Sequence, residues 1–364
     1  MKPSEPSSLL PDLPQGADVL IARLRSLGDI VLETPAIAAL HAWRPDLRIR
    51  VLIEPRFAAA LEGNPAIAEV LFSGGFAATA GALRRRRLPI VFNHHGGPRS
   101  ALLTAASGSP LRVGWKGFQF SFVYNVQVPD AREFYGRPVV HAVEHRISQF
   151  YWTGLPRGPI PAAQVFPQAD AVEHVHAVLK ENGVPEGAPY AVVQPGARLA
   201  AMRWPAGKFA ALARWLRDTQ GIASVVNLSA QEEGIASGVR NEMQDCAVIP
   251  AGFGLRELIA LVAGAALFVG NDSGPAHLAA ATGRPAVVIY GSTNPAQWRP
   301  WETKHRVVET GATFQAVRGD KTVAVSVPRS IGEIAVDEVR AACEELLSAS
   351  SRDDRSRDTK NVPR

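Results

Sequence analysis

The chain has 364 residues, 46% hydrophobic and 20% charged, a length that sets an expectation of two domains and a composition that excludes a wholly disordered or collagen-like chain. Its only cysteines, Cys246 and Cys343, lie far apart without a CxxC or a nearby His pair, which argues against a disulfide scaffold and a zinc cluster. Net formal charge is +5, unevenly placed: residues 17–165 carry 17 Lys/Arg against 10 Asp/Glu and residues 166–348 carry 16 against 19, so the front half points to an anionic partner.

Residues 1–16 hold four prolines and two acids without a long apolar core, and are expected to form a disordered leader rather than a signal peptide. The next stretch, Asp18–Leu24, reads as a strand, followed by a turn at Ser26–Asp29 and a helix over about 31–43. Strands are expected at Arg48–Ile53 and Pro89–Asn93, with the run Arg84–Arg87 between them. Four prolines at 156, 159, 161 and 167 break periodicity and suggest a linker near 155–170. A second strand–helix series follows: strands at Tyr190–Gln194, Ala223–Leu228, Ala266–Val269 and Ala286–Tyr290, a helix over about 205–219, and a last helix over about 333–348. Strand–helix alternation implies parallel sheets covered on both faces, hence an α/β chain with Rossmann-like domains at 17–165 and 166–348, and a disordered tail at 349–364. No window of about 18 apolar residues free of charge occurs, so no transmembrane helix is expected.

Four motifs sit at strand ends, where ligands of open parallel sheets bind. In Ser26-Leu27-Gly28-Asp29, Gly28 allows close backbone approach and the following helix start offers amides to an anion; Asp29 suits a helix N-cap equally well. Asn271-Asp272-Ser273-Gly274-Pro275-Ala276-His277 is a small-residue turn running into a helix, suited to cradling a pyrophosphate, although His277 reads equally as a structural histidine. Gln194-Pro195-Gly196-Ala197-Arg198, followed by Arg203-Trp204-Pro205, suits phosphate binding by arginine and backbone amides together. The loop Tyr290-Gly291-Ser292-Thr293 is the fourth. Neither GxGxxG at the first strand nor GxSxG anywhere is present, which weakens a dinucleotide or hydrolase reading. The four arginines 84–87 fit a solvated helix end, an anionic acceptor or an anionic membrane surface; nucleic acid is disfavoured because no recognition motif accompanies them.

Taken in this order, IARLRSLGDIVLETPAIAAL, EPRFAAALEGNPAIAEVL, QPGAR with RWPAGKFAALARWL, and FVGNDSGPAHLAAATGRPAVVIYGSTNPAQWRPW resemble glycosyltransferase family 9, the heptosyltransferases of lipopolysaccharide core synthesis. The resemblance spans about residues 18–347 and implies a GT-B fold, two Rossmann-like domains facing across a cleft. It implies an inverting, metal-independent transfer of a heptose from a nucleotide sugar, typically ADP-heptose, to a lipid-anchored saccharide. It makes Asp29 the general base, and Gly28, Gly196, Arg198, Arg203, Lys208, Glu232, Asp272, Ser273, Gly274 and His277 the donor site, with no metal and no cofactor beyond the donor. Arg84, Arg85, Arg86 and Arg87 become an acceptor or membrane surface, on an enzyme expected in the cytoplasm, peripheral to the inner face of the bacterial cytoplasmic membrane. Met202 stands where the family usually has Lys before the Arg-Trp-Pro segment, so a catalytically degenerate sugar-nucleotide-binding protein is an alternative. A GT-B-like epimerase or hydrolase is a more distant one.

Overall fold

A computed structural model describes residues 8–228, 233–317 and 322–358. The chain forms two compact units, one built from residues up to Phe166 with a return at Gln315–Val323, the other from Pro167–Phe314 with Ala324 onward.

The first unit begins with β1 (Asp18–Ala22), α1 (Leu27–Val31), α2 (Thr34–Trp43), β2 (Arg48–Ile53) and β3 (Glu69–Phe72). It continues through α3 (Phe76–Arg85), β4 (Ile90–Asn93), α4 (Pro98–Ala106), β5 (Leu111–Trp115), β6 (Val126–Val128), α5 (Ala131–Tyr135) and α6 (Ala142–Trp152). Its sheet has the order β3-β2-β1-β4-β5-β6, parallel throughout. Strands β1, β2 and β4 are near-continuous apolar runs because both faces are covered, as parallel strands require. The order runs outward in both directions from β1 and β4, so the crevice at their carboxyl ends is the unit's natural binding position. The single helix expected over 31–43 is two: α1 already includes Gly28 and Asp29, and Pro35 lies in the first turn of α2.

The disordered leader does not extend through residues 8–16. Leu10 is fully buried, its N–H donates to the Thr153 carbonyl at 2.9 Å, and Arg44 donates to the carbonyls of Leu10 (3.0 Å) and Leu13 (3.1 Å). Two leucines with burial to gain and an arginine to satisfy their carbonyls are enough to seat this segment.

The second unit contains α7 (Ala169–Glu181), β7 (Tyr190–Gln194), α8 (Ala206–Gln220), β8 (Ala223–Val226), α9 (Glu233–Met243), α10 (Leu255–Gly264) and β9 (Leu267–Asn271). After these come α11 (Gly274–Ala281), β10 (Ala286–Tyr290), α12 (Pro295–Trp298), β11 (His305–Glu309), β12 (Thr313–Ala316), β13 (Thr322–Ser326) and α13 (Val336–Asp358). The main sheet has the order β11-β10-β9-β7-β8, again parallel, and the strand order reverses between β7 and β9. Gln194 pairs with Gly270 in register, and a Cβ on Gly270 would lie 2.8 Å from that of Gln194, so only glycine lets the two strands close here. Helix α13 belongs to this unit: Val339, Ala342, Cys343 and Leu346 enter one core with Phe209, Leu216 and Val287. Its backbone runs to Asp358, past the expected tail boundary at 348.

Candidate active site

In the first unit the residues at the carboxyl ends of β1 and β4 converge on Asp29. Ser26 is the N-cap of α1 and Asp29 is its third helical residue, so the N-cap expected of Asp29 falls instead to Ser26. The Ser26 backbone N–H and hydroxyl donate to Asp29 Oδ2 at 3.2 and 3.0 Å. Asp29 Oδ1 faces two guanidiniums, Arg23 from the end of β1 and Arg146 from α6, the latter at 2.6 Å. Burial alone would raise this carboxyl; the two arginines and Ser26 outweigh it and hold the group well below the usual carboxylate range.

Behind Asp29 lies a buried ionic cluster. Glu33, 1% exposed, places Oε1 2.5 Å from His94 Nδ1 and Oε2 3.5 Å from Arg146 Nε. Burial opposes the charge on Glu33, but His94 first, then Arg146 and Arg23, lower its proton affinity below the ordinary value. Arg146 is itself 3% exposed and also donates to the Ala142 carbonyl at 2.5 Å, while Arg23 donates to the His94 carbonyl. His95 is pushed down to about 4, by burial and then by the neighbouring Arg23, and so is neutral at physiological pH. Removing one member of such a buried set leaves an uncompensated charge, at a cost of about 3–5 kcal/mol.

The sequence pattern does not single out Arg23, Glu33, His94, His95 or Arg146. His94 and His95 follow a buried strand directly, the same position that drew attention to Asp29, and Glu33 is a lone acid in an apolar segment. Arg146 carries no local signal, being 117 residues from its partner.

In the second unit the switch between β7 and β9 brings together the three motifs expected there. Asn271, fully buried, donates from Nδ2 to the Pro195 carbonyl at 2.7 Å and accepts from the Trp204 backbone N–H at 2.9 Å, tying the Gln194–Arg198 loop to the Arg203–Trp204 segment. Gly196 is buried in that loop and Arg198 is exposed on it, while Arg203 Nε donates to the Ala197 carbonyl at 2.7 Å. A Cβ on Gly291 would meet the Ala201 carbonyl at 2.7 Å, so the loop after β10 closes against the same segment. Thr293 of that loop hydrogen-bonds Asp272.

Asp272 is nearly enclosed, and burial pushes its carboxyl up to about 7, with the Thr293 bond only partly opposing. Ser273 caps α11, its hydroxyl donating to the Asn271 carbonyl at 3.1 Å; Gly274 is the first residue of α11 and His277 is buried three residues further on. Lys208 does not join this group. Its ammonium donates to the carbonyls of Gly332 (2.7 Å) and Ile334 (2.8 Å), because its stem runs from the first turn of α8 toward the turn before α13. Met202 is half-buried in a short 3₁₀ turn. Glu232 lies outside the described residues.

The arginine run is divided. Arg84, Arg85 and Arg87 are exposed around the end of α3, whereas Arg86 makes a two-pronged pair with Glu69 of β3 at 2.7 and 2.9 Å and so belongs to the fold. Cys246 and Cys343 are free and buried. Among the described residues no group of three or more His, Cys, Asp or Glu is placed to hold a metal ion, and no helix is long and apolar enough to cross a membrane.

The model of glycosyltransferase family 9 (heptosyltransferase) matches residues 77–323. Lipopolysaccharide heptosyltransferase 2 of Escherichia coli K12 is 27% identical over 311 residues, covering 80% of this chain and 88% of that one. The Salmonella typhimurium LT2 protein of the same name is 26% identical, over 88% and 96% of the two chains. Among solved structures, a family 9 glycosyl transferase from Veillonella parvula superposes with TM-score 0.78 at 21% identity, covering 92% of this chain and 98% of the other. E. coli ADP-heptose lps heptosyltransferase II does so with TM-score 0.75 at 24% identity, covering 92% and 99%. These neighbours share the GT-B α/β fold, with its two parallel sheets.

Proposed function

Because the chain belongs to glycosyltransferase family 9, we propose that it moves a heptose from ADP-heptose to the saccharide core of a lipopolysaccharide, inverting the sugar's anomeric centre in one displacement. The observation that carries this reading is the ionised, arginine-held carboxylate of Asp29 at the switch point of the first unit's sheet, where a general base of the family is expected. In the reaction the acceptor hydroxyl gives its proton to Asp29 as its oxygen forms the new bond to the anomeric carbon, and the sugar–phosphate bond breaks with its electron pair leaving on ADP. Asp29 is charged throughout the working pH range, so it is always available as the acceptor of that proton. Its basicity is low, so the proton has to move late, when bond formation has already acidified the hydroxyl.

On the donor side, Gly196, Arg198 and Arg203 with the Asp272–Gly274 turn would receive the diphosphate, and His277 would support that turn from within α11. A half-buried Met202 supplies no positive charge, which leaves Arg198 and Arg203 to offset the leaving group. In support of the nucleotide, one structural neighbour of the fold is the E. coli heptosyltransferase WaaC with ADP bound. An arginine-rich first unit suits an enzyme that works at the cytoplasmic face against a membrane-anchored, anionic acceptor.

Calorimetry against ADP-, GDP- and UDP-sugars tests the donor assignment. ADP-sugars are expected to bind best, and Met202→Lys to tighten that binding by about tenfold through one added phosphate contact. Preference for a UDP- or GDP-sugar would overturn the nucleotide assignment. Binding without transfer in the wild type, relieved in Met202→Lys, would favour the degenerate binding protein.

A further inference from the structure

We infer that Arg146, braced from behind by Glu33 and His94, is a positioning residue that reserves one oxygen of Asp29 for the acceptor hydroxyl. The inference rests on the reading of Asp29 as general base and adds to it which groups make that carboxylate usable.

The geometry divides Asp29 into two halves. Oδ1 takes both guanidiniums, Arg23 and Arg146, and both are largely shielded from water. Oδ2 takes only Ser26, whose residue is exposed and whose hydroxyl, on a freely rotating bond, donates at 3.0 Å. A hydroxyl donating to Oδ2 is what an attacking acceptor must do, so Ser26 Oγ marks the direction from which the acceptor would arrive and is the group it would displace.

The arginines differ in how firmly they are held. Arg23 contacts Asp29 and the His94 carbonyl with 13% of its side chain exposed, while Arg146, 3% exposed, donates to Asp29 Oδ1 and the Ala142 carbonyl and also faces the Glu33 carboxylate across 3.5 Å. Glu33 in turn is locked by His94, whose side chain is fully buried. His94 packs among Phe92, Trp115 and Phe150, so the brace is anchored in the aromatic core of the unit. A guanidinium held this way fixes the plane of the Asp29 carboxylate, as orienting a catalytic group requires. Glu33 also places a negative charge on the far side of Arg146, which moderates the pull of that arginine on Asp29.

The remaining charged or titratable groups around Asp29 are Arg25 and His95, the latter neutral near pH 7 and placed close to Arg23. The titration of His95 is separable from that of Asp29 because an imidazole is not a carboxyl.

Transfer rates are measured across pH 5–9 for the wild type, Arg146→Gln, Arg146→Lys and Glu33→Gln, together with carboxyl ¹³C NMR titration of Asp29 assigned by Asp29→Asn. Removing the Arg146 charge raises the proton affinity of Asp29. In Arg146→Gln the Asp29 signal therefore titrates about one pH unit or more above the wild type, still on the acid side of pH 5, so the rate profile from pH 5 to 9 keeps its shape. Its kcat falls by about tenfold or more through lost orientation, while KM changes little. Arg146→Lys keeps the charge and leaves the Asp29 titration near that of the wild type, but recovers only part of kcat because an ammonium lacks the planar fork. Glu33→Gln, close in shape to the original, lowers kcat without raising the Asp29 titration, since it strengthens the hold of the arginines on Asp29. That variant decides the matter should Arg146→Gln fail to fold. Wild-type kcat in Glu33→Gln, or wild-type kcat and Asp29 titration in Arg146→Gln, would overturn the inference alone, provided Asp29→Asn is inactive. Full turnover in Asp29→Asn would take down the general-base reading and this inference with it.

Discussion

Asp29 and Asp272 are two carboxylates pushed in opposite directions by their surroundings. Both are nearly enclosed, and burial penalises the charge on each. Asp29 has two guanidiniums and a capping serine to overcome that penalty; Asp272 has the single hydroxyl of Thr293. Asp29 is therefore ionised, while Asp272, raised to about 7, changes charge near neutrality. The sign of the consequence follows from where Asp272 sits. Below pH 7 it is neutral and leaves the turn before α11 open to a diphosphate; as pH rises through 7 it ionises and repels one. Affinity for an ADP-sugar, whose diphosphate does not itself titrate in this range, is expected to fall by up to about tenfold per pH unit above 7. Asp272→Asn should flatten that dependence. Calorimetry at pH 6, 7 and 8 measures it, and equal affinity at all three in the wild type would remove Asp272 from the donor site.

Among the elements, those legible in the sequence were the ones buried on both faces. Strands β2, β7 and β10 begin and end where the apolar runs Arg48–Ile53, Tyr190–Gln194 and Ala286–Tyr290 do, because a central parallel strand is apolar along its length. Edge strands gave less away: β3 and β6 are short and partly exposed, and neither stands out as an apolar run. The same contrast holds at the site. Asp29 and the Asp272–Gly274 turn are legible because each sits in a Gly-containing turn that leads from a strand into a helix, whereas Arg146 and Glu33 come together with Asp29 only when α6 is brought against α1 and α2. Lys208, which the family resemblance puts at the donor site, is turned by the fold toward two carbonyls.

Helix α3 shows how one motif can hold two roles. Its end presents Arg84, Arg85 and Arg87 to solvent, and Phe72 and Phe76 are exposed where β3 gives way to α3. Neutralising the three exposed arginines to Gln should weaken binding to phosphatidylglycerol vesicles by tenfold or more, at about 1 kcal/mol per basic residue, and make it less sensitive to salt. Arg86→Gln should instead lower the melting temperature, because it leaves Glu69 without its two-pronged partner at the sheet edge. Vesicle binding indifferent to the triple change would return Arg84, Arg85 and Arg87 to an ordinary solvated face.

At the scale of the whole molecule, the two units repeat one architectural rule with different chemistry. Each sheet reverses its strand order once, and each places its distinctive residues at that reversal: carboxylates, arginines and histidines in the first, small residues and backbone amides in the second. The excess positive charge belongs to the first, with 17 basic against 10 acidic residues over 17–165. Much of it is internal: Arg23, Arg44, Arg50, Arg86 and Arg146 are all paired with carboxylates of the same unit, so net charge alone overstates the basic surface. The most direct measurement of the central claim is transfer from ADP-heptose to a Kdo-terminated lipid A acceptor, following ADP release and the anomeric configuration of the product. One ADP is expected per heptose attached, with a linkage inverted relative to the donor and loss of both in Asp29→Asn; free heptose formed without acceptor, or a product of retained configuration, would contradict Asp29-assisted inverting transfer.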